Sequence, residues 1–188
     1  MRSFVAIEID PKVRRRLAEA QRKIRYVNAK IGWVAPQNFH LTLKFLGETT
    51  EDQRDAVQSV LQTAAQEFEP IEMEMRGLGQ FPRVIWAGML GEIKGLARMA
   101  RRLDDELAKL GFAREAREFK AHLTLGRIKR IGDREGLTKA IASFRDETFG
   151  AVRVDAVHLF QSTLTPNGSI YTKLFTVPLK GADHGHKN

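Results

Sequence analysis

One tetrapeptide occurs twice in this chain, as His40-Leu41-Thr42-Leu43 and His122-Leu123-Thr124-Leu125, and it uses two of the five histidines. Each copy follows the same succession of patterns. Phe4-Val5-Ala6-Ile7-Glu8-Ile9 reads as a strand, Pro11 to about Val27 as a helix, and Gly32-Trp33-Val34 leads to the first copy. Val84-Ile85-Trp86-Ala87-Gly88-Met89, a helical stretch from Ile93 to Leu110, and Gly111-Phe112 lead to the second. His40 stands 36 positions after Phe4 and His122 stands 38 after Val84. A chain with one plan written twice is expected to fold into two similar halves, and two copies are too few for a solenoid.

Helical stripes recur at steps of three and four. Val13, Leu17, Ala20, Ile24 and Val27 form one, and Leu96, Ala100, Leu103, Leu107 and Leu110 another; both read as core. Val57, Val60, Leu61, Ala64 and Phe68 mark a third helix, capped by Thr49 or Thr50 ahead of Glu51 and Asp52. A fourth runs from Leu137 to Phe144. Each motif is thus followed by a helix and each helix by strand-like sequence, Ile71 to Leu78 in one half and Ala151 to Phe160 in the other. Thr165-Pro166-Asn167-Gly168 reads as the turn joining the last two strands. The connections are of mixed length and several are hairpin-like. The fold class expected is therefore α+β, bilobal and duplicated, with two mostly antiparallel sheets facing a central cleft and helices on the outer faces.

The chain has 188 residues, 43% of them hydrophobic, enough for one core. A single domain over 1–180, made of two pseudo-symmetric lobes, is expected, with 181–188 as a flexible tail whose His184 and His186 read as a fraying terminus rather than a metal pair. No apolar run approaches the roughly 20 residues that span a bilayer, and Met1-Arg2-Ser3 leads directly into a strand, so no membrane or export is expected. With no cysteine there is no disulfide framework, thiolate metal site or cysteine nucleophile, which suits a cytoplasmic location. The formal net charge of +8 favours polyanionic partners such as RNA or phosphorylated metabolites. Arg14-Arg15-Arg16 and Arg101-Arg102 lie in amphipathic helices and read as solvated surface.

Strand alternation places His40, Thr42 and Lys44 on one face and Leu41, Leu43 and Phe45 on the other, and separates His122 and Thr124 from Leu123 and Leu125 in the same way. The leucines can then be buried while a histidine and a hydroxyl face a shared groove. A single histidine on a strand is more often a buried structural residue; two in matched contexts favour an acid and a base. A ring with an ordinary pKa of about 6.5 can serve as either near neutrality. Each threonine offers a donor to a phosphoryl oxygen, and otherwise reflects strand propensity alone.

With Trp33-Val34-Ala35-Pro36-Gln37-Asn38-Phe39 before the first copy, Lys44-Phe45-Leu46-Gly47 after it and Gly126-Arg127 after the second, the chain resembles the two-histidine (2H) phosphoesterases. It looks most like their LigT-like RNA 2′,3′-cyclic phosphodiesterases, once called 2′-5′ RNA ligases. Gly77 to Pro82, Val84 to Gly88 and Leu159 to Leu164 extend the likeness, which covers Met1 to about Val177. The resemblance implies a reaction without metal or cofactor, in which water opens a 2′,3′-cyclic phosphate at an RNA end to leave a 2′-phosphate. It implies His40 as general acid, His122 as base, Thr42 and Thr124 as phosphate ligands, Arg127 as the stabiliser of the phosphorane charge and Phe45 as a platform for the terminal base. Reversal of the scheme would join RNA ends through a 2′-5′ bond.

Strict alternation sends Arg127 and Phe45 to the face opposite their histidines. Each therefore needs a bulge, a twist or a strand end, and Gly126 is a place for one. Without it Phe45 reads as a core aromatic and Arg127 as surface charge. Lys44, sharing the face of His40, would steer phosphate or simply be solvated. Two other readings compete: a non-catalytic RNA-binding module, carried by the charge and by exposed aromatics such as Trp33, and the same chemistry on another cyclic phosphate such as ADP-ribose 1″,2″-cyclic phosphate. A metal hydrolase is disfavoured because His-x-Thr lacks a second ligand and no acid accompanies either copy. A monomer is the default expectation.

Overall fold

The computed structural model describes residues 1–166 and 168–182; Asn167 of the expected turn and residues 183–188 of the tail, with both of its histidines, lie outside them. In chain order the elements are β1 (Arg2–Glu8), α1 (Pro11–Ile24), β2 (Ala29–Trp33), a 3-10 turn (Pro36–Asn38), β3 (His40–Glu48), α2 (Glu51–Ala65), β4 (Ile71–Phe81) and β5 (Val84–Gly91). They continue with α3 (Ile93–Lys109), β6 (His122–Ile131), α4 (Arg134–Ala142), β7 (Thr148–Val154), β8 (Ala156–Thr165) and β9 (Gly168–Pro178). α1, α2 and α4 begin at a side-chain cap, whereas α3 begins after Glu92 without one. Asp10 accepts the Lys12 amide ahead of Pro11, and Thr50 forms a reciprocal capping box with Gln53. All four stop short of the expected ends, α1 at Ile24 rather than Val27, α2 at Ala65 rather than Phe68, α3 at Lys109 rather than Leu110 and α4 at Ala142 rather than Phe144.

The strands form two antiparallel sheets, the α+β arrangement expected. One has the order β3-β1-β8-β9 and the other β2-β6-β5-β4-β7. Neither sheet belongs to one half of the sequence. β2, from the first half, pairs with β6, while β1 is flanked by β3 and by β8 from the far end of the chain. The run read as one strand from Ala151 to Phe160 is cut at Asp155 into β7 and β8, which lie in different sheets. Its burial pattern slips there, with Val152 and Val154 buried before the break and Val157 and Leu159 after it.

One continuous core joins the two sheets. Val5 and Ile7 of β1, Leu41 and Leu43 of β3, Leu123 and Leu125 of β6, and the helical stripes Val13-Leu17-Ala20-Ile24 and Leu96-Ala100-Leu103-Leu107 all belong to it. Helices α1 and α4 pack beside β7 and β4, whereas α2 and α3 pack beside β8, β9 and β3. Phe4, Ala6 and Phe160 form a second, smaller cluster. Since Phe4 and Ala6 alternate with Val5 and Ile7 along β1, this cluster lies on the face of the first sheet turned away from the helices. Strands β3 and β6 approach each other, so the starts of the two motifs belong to neighbouring strands. Among the described residues no helix is long and apolar enough to cross a membrane.

Candidate active site

The two histidines open their strands in the same way. The Nδ1 of His40 lies 2.6 Å from the carbonyl of Asn38, and the Nδ1 of His122 lies 2.7 Å from that of Lys120. A backbone carbonyl can only accept, so Nδ1 carries the proton in both rings and the neutral form of each leaves Nε2 bare. Two identical clamps, each reaching two residues back, hold the rings by the same atoms. Asn38 is held in turn, its side-chain amide donating to the Ser169 carbonyl at 2.6 Å.

Beyond the histidines the strands carry the same irregularity. On β1 the partners Ala6 and Val5 face Thr42 and Lys44, leaving Leu43 as an extra residue. On β5 the partners Trp86 and Ile85 face Thr124 and Gly126, leaving Leu125 extra. Both are bulges, three residues after the histidine, and each reverses the alternation that follows. Phe45 therefore pairs with Phe4, two residues from the partner of Thr42, and returns to the face of His40. Arg127 pairs with Val84, two residues from the partner of Thr124, and returns to the face of His122. The bulge expected near Gly126 thus sits one residue earlier. Both side chains are exposed, Phe45 at 61%, and neither is core.

The same bulge turns Lys44 away from His40. It is 1% exposed and donates to Asp104 Oδ1 at 2.5 Å and to the Ala113 carbonyl, tying β3 to α3 and the loop beyond it. Lys44 neither steers phosphate nor is solvated. The second copy has Gly126 at this position, where a Cβ would lie 2.8 Å from Ile31 Cγ2 and 2.9 Å from the Trp33 ring. Trp33 is accordingly half-buried against the core, with the Arg25 guanidinium over its ring, rather than an exposed aromatic. Gln21 of α1, buried in the core, donates to the carbonyls of both Val34 and Leu125, satisfying the backbone at the second bulge.

The surroundings of the two rings differ. His40 is packed by Phe4 at 4.7 Å between ring centroids and by Tyr171 edge-on at 5.1 Å. Burial pushes its pKa below that of an ordinary imidazole, and the hydrogen bond to Asn38 offsets this only in part. His122 meets the edge of Phe81 at 5.6 Å. Beside it Trp86 lies across Gly79, where a Cβ would be 2.1 Å from the indole, and near Gly88.

The sequence pattern does not single out a third histidine that the fold brings to this face. His158 of β8 pairs with Ala6 and so shares the non-helical face with His40, whose own partner on β1 is Glu8. Its Nδ1 is 3.0 Å from the Thr176 hydroxyl and its Nε2 3.8 Å from Glu8 Oε2, to which Lys173 donates at 2.7 Å. Burial lowers the His158 pKa against the opposing charge of Glu8. Burial would raise that of Glu8, but the Lys173 hydrogen bond and the charges of His158, Lys173 and Arg14 together hold it below the usual carboxylate range. The alternation Phe4-Ala6-Glu8 in β1 was the available sign that Glu8 belongs to this face. Among the described residues no group of three or more histidines and carboxylates is placed to hold a metal ion.

The family described as LigT like Phosphoesterase matches residues 7–86 and 91–171. The chain is 34% identical over 179 residues to the RNA 2′,3′-cyclic phosphodiesterase of Methanothermobacter thermautotrophicus, covering 93% of this chain and 96% of that protein. It is 36% identical over 179 residues to that of Archaeoglobus fulgidus, covering 93% and 98%. A crystal structure of a Thermus thermophilus protein superposes with a TM-score of 0.81 at 31% identity, covering 97% of this chain and all of that one. Escherichia coli LigT, solved with 3′-AMP, shares the fold with a TM-score of 0.76 at 24% identity, covering 95% and 98%.

Proposed function

The chain belongs to the LigT-like phosphoesterase family, and from that membership we propose that it hydrolyses 2′,3′-cyclic phosphate ends of RNA to 2′-phosphomonoesters by acid-base catalysis between His40 and His122. The observation that carries this reading is the pair of matched Nδ1 clamps. Each directs the same bare nitrogen away from the backbone, on strands that repeat one another down to the bulge. In the forward direction His122 Nε2 takes a proton from water as its oxygen attacks phosphorus. The bond from phosphorus to the 3′ oxygen breaks, and that oxygen takes the proton carried by His40 Nε2. Thr42 and Thr124 donate to the non-bridging oxygens, and Arg127, brought round by its bulge, balances the charge that accumulates on the phosphorane. Phe45, exposed beside them, offers a face to the terminal base. In reverse the rings exchange roles and a 2′-5′ bond forms. The protein acts as a monomer in this scheme, and no metal or cofactor takes part.

The test is an RNA oligonucleotide bearing a 2′,3′-cyclic phosphate, incubated in EDTA, with the product's phosphate position read by chromatography. A 2′-phosphate is expected, and replacing either histidine by Ala should lower kcat by about 10² to 10⁴-fold while RNA affinity persists. Loss of turnover in EDTA, or near-normal turnover in both variants, would overturn the reading. The latter result would favour a binding module.

A further inference from the structure

Some of this protein's cations have carboxylate partners and others do not. Some on or beside the helices are matched to carboxylates: Arg102 with Glu67 and Glu106, Lys109 with Glu106, Lys139 with Glu135, and, in the loop after α3, Arg114 with Asp105. Along β2 and the far half of β6 unpaired cations gather on adjacent strands. Lys30, Arg127, Lys129 and Arg130 are exposed, neither strand contains an acidic residue, and among the described residues none of the four has a carboxylate partner. Arg83, at the turn between β4 and β5, adds a fifth exposed cation, its carbonyl accepting the Ile128 amide.

The register places four of these on one face. Arg127 pairs with Gly32 and Arg130 with Lys30, while Ile31 and Ile128, which alternate with them, point to the core. Lys129 is the extra residue of a second bulge in β6, at the Lys30-Ile31 step of β2. Its side chain lies over Gly32, where a Cβ would be 3.2 Å from Lys129 Cε and 3.8 Å from Nζ. The ammonium is therefore on the side of Arg127, not the core. Outward from the first residue of β6, this face carries His122, Thr124, Arg127 and then Lys129 and Arg130 with Lys30 beside them. At roughly 3.3 Å per residue the cationic part extends about 10 Å beyond Arg127.

We propose that Lys30, Lys129 and Arg130 form a track for the phosphodiester backbone of single-stranded RNA, holding the nucleotides that precede the cyclic phosphate end. This rests on the function proposed above and adds a second site to it. From a cyclic phosphate gripped between the histidines and Arg127, the strand that continues along this face passes over exposed cations without carboxylate partners among the described residues. Phosphates neutralised along such a path release condensed counterions, so the interaction is sequence-independent and salt-sensitive.

The experiment compares the full chain with K30Q/K129Q/R130Q, all three positions being exposed and outside the site that holds the cyclic phosphate. Two substrates are used: a 2′,3′-cyclic mononucleotide and a single-stranded RNA of about ten nucleotides with the same end. The triple variant should cleave the mononucleotide with unchanged kcat/KM, and cleave the oligonucleotide with kcat/KM reduced at least about tenfold at low salt. Between about 50 and 200 mM salt its log-log slope for the oligonucleotide should be shallower by about 2, from roughly 0.7 per phosphate contact. Equal loss on both substrates, or an unchanged oligonucleotide slope, would overturn the track. If wild-type protein cleaves neither substrate, the catalytic reading fails alone. The salt slope for binding the same oligonucleotide with a 3′-hydroxyl end, measured by fluorescence anisotropy, then decides the track.

Discussion

At His40 two observations meet: a clamp that fixes which nitrogen is free, and burial that disfavours the charged ring. A general acid with a lowered pKa is a strong donor held by a minority of molecules at neutrality. A bell-shaped kcat/KM is expected, its limbs belonging to the pair of rings, and the lowered pKa of His40 should place one limb below about 6.5, the ordinary imidazole value. A flat profile between pH 5 and 9 would count against acid-base work by the two rings. Lys44 makes a second prediction. Lys44→Met removes the buried partner of Asp104 and should cost about 3 kcal/mol in chemical denaturation, while kcat per folded molecule stays within a few-fold. A phosphate-steering lysine would show the opposite pattern. The histidines and threonines were legible because the motif repeats. Glu8, His158 and Lys173 were not, because nothing in a single strand announces which residues its neighbours will bring alongside.

The strands β3 and β6 show what alternation can and cannot deliver. Strict period two predicted the leucine face correctly as far as Leu43 and Leu125 and then failed in both copies at the same step. The sign was present in the apolar spacing. Leu41, Leu43 and Leu46 step by two and then three, as do Leu123, Leu125 and Ile128, and all six are buried. A slip of that kind, written twice, is how a bulge appears in a sequence. Gly126→Ala tests the second one. Its Cβ would press Ile31 and Trp33 at under 3 Å, so we expect about 1–3 kcal/mol of destabilisation in urea and a fall in kcat as Arg127 moves. The helices were the more legible elements, since their stripes and caps are local; of the two caps the sequence offered for α2, Thr49 and Thr50, it is Thr50 that caps it, in a box with Gln53 that was not anticipated.

For the whole molecule the sequence revealed a duplication but not its weave. The halves exchange strands, β2 and β4 joining the second sheet and the hairpin of β8 and β9 completing the first, because pairing partners are decided by non-local packing that no local pattern encodes. With one core spanning both sheets, unfolding should be a single transition, seen as coincident urea curves by far-UV circular dichroism and tryptophan fluorescence. Two separated transitions would identify independent lobes. His40 and His158 have folded pKa values below the ordinary one, so the stability they contribute is present above about pH 6.5 and lost as pH falls through their folded values. The melting temperature should therefore drop between pH 7.5 and 5, and His158→Gln should flatten that drop. The exchange of strands also sets a schedule for synthesis. β1 leaves the ribosome about 150 residues ahead of β8, so at roughly 5–20 residues per second one side of the earliest strand waits on the order of 10–30 s for its hydrogen bonds. During that interval the nascent chain must keep Phe4, Ala6 and the open edge of β1 from the strands of its neighbours on the same message.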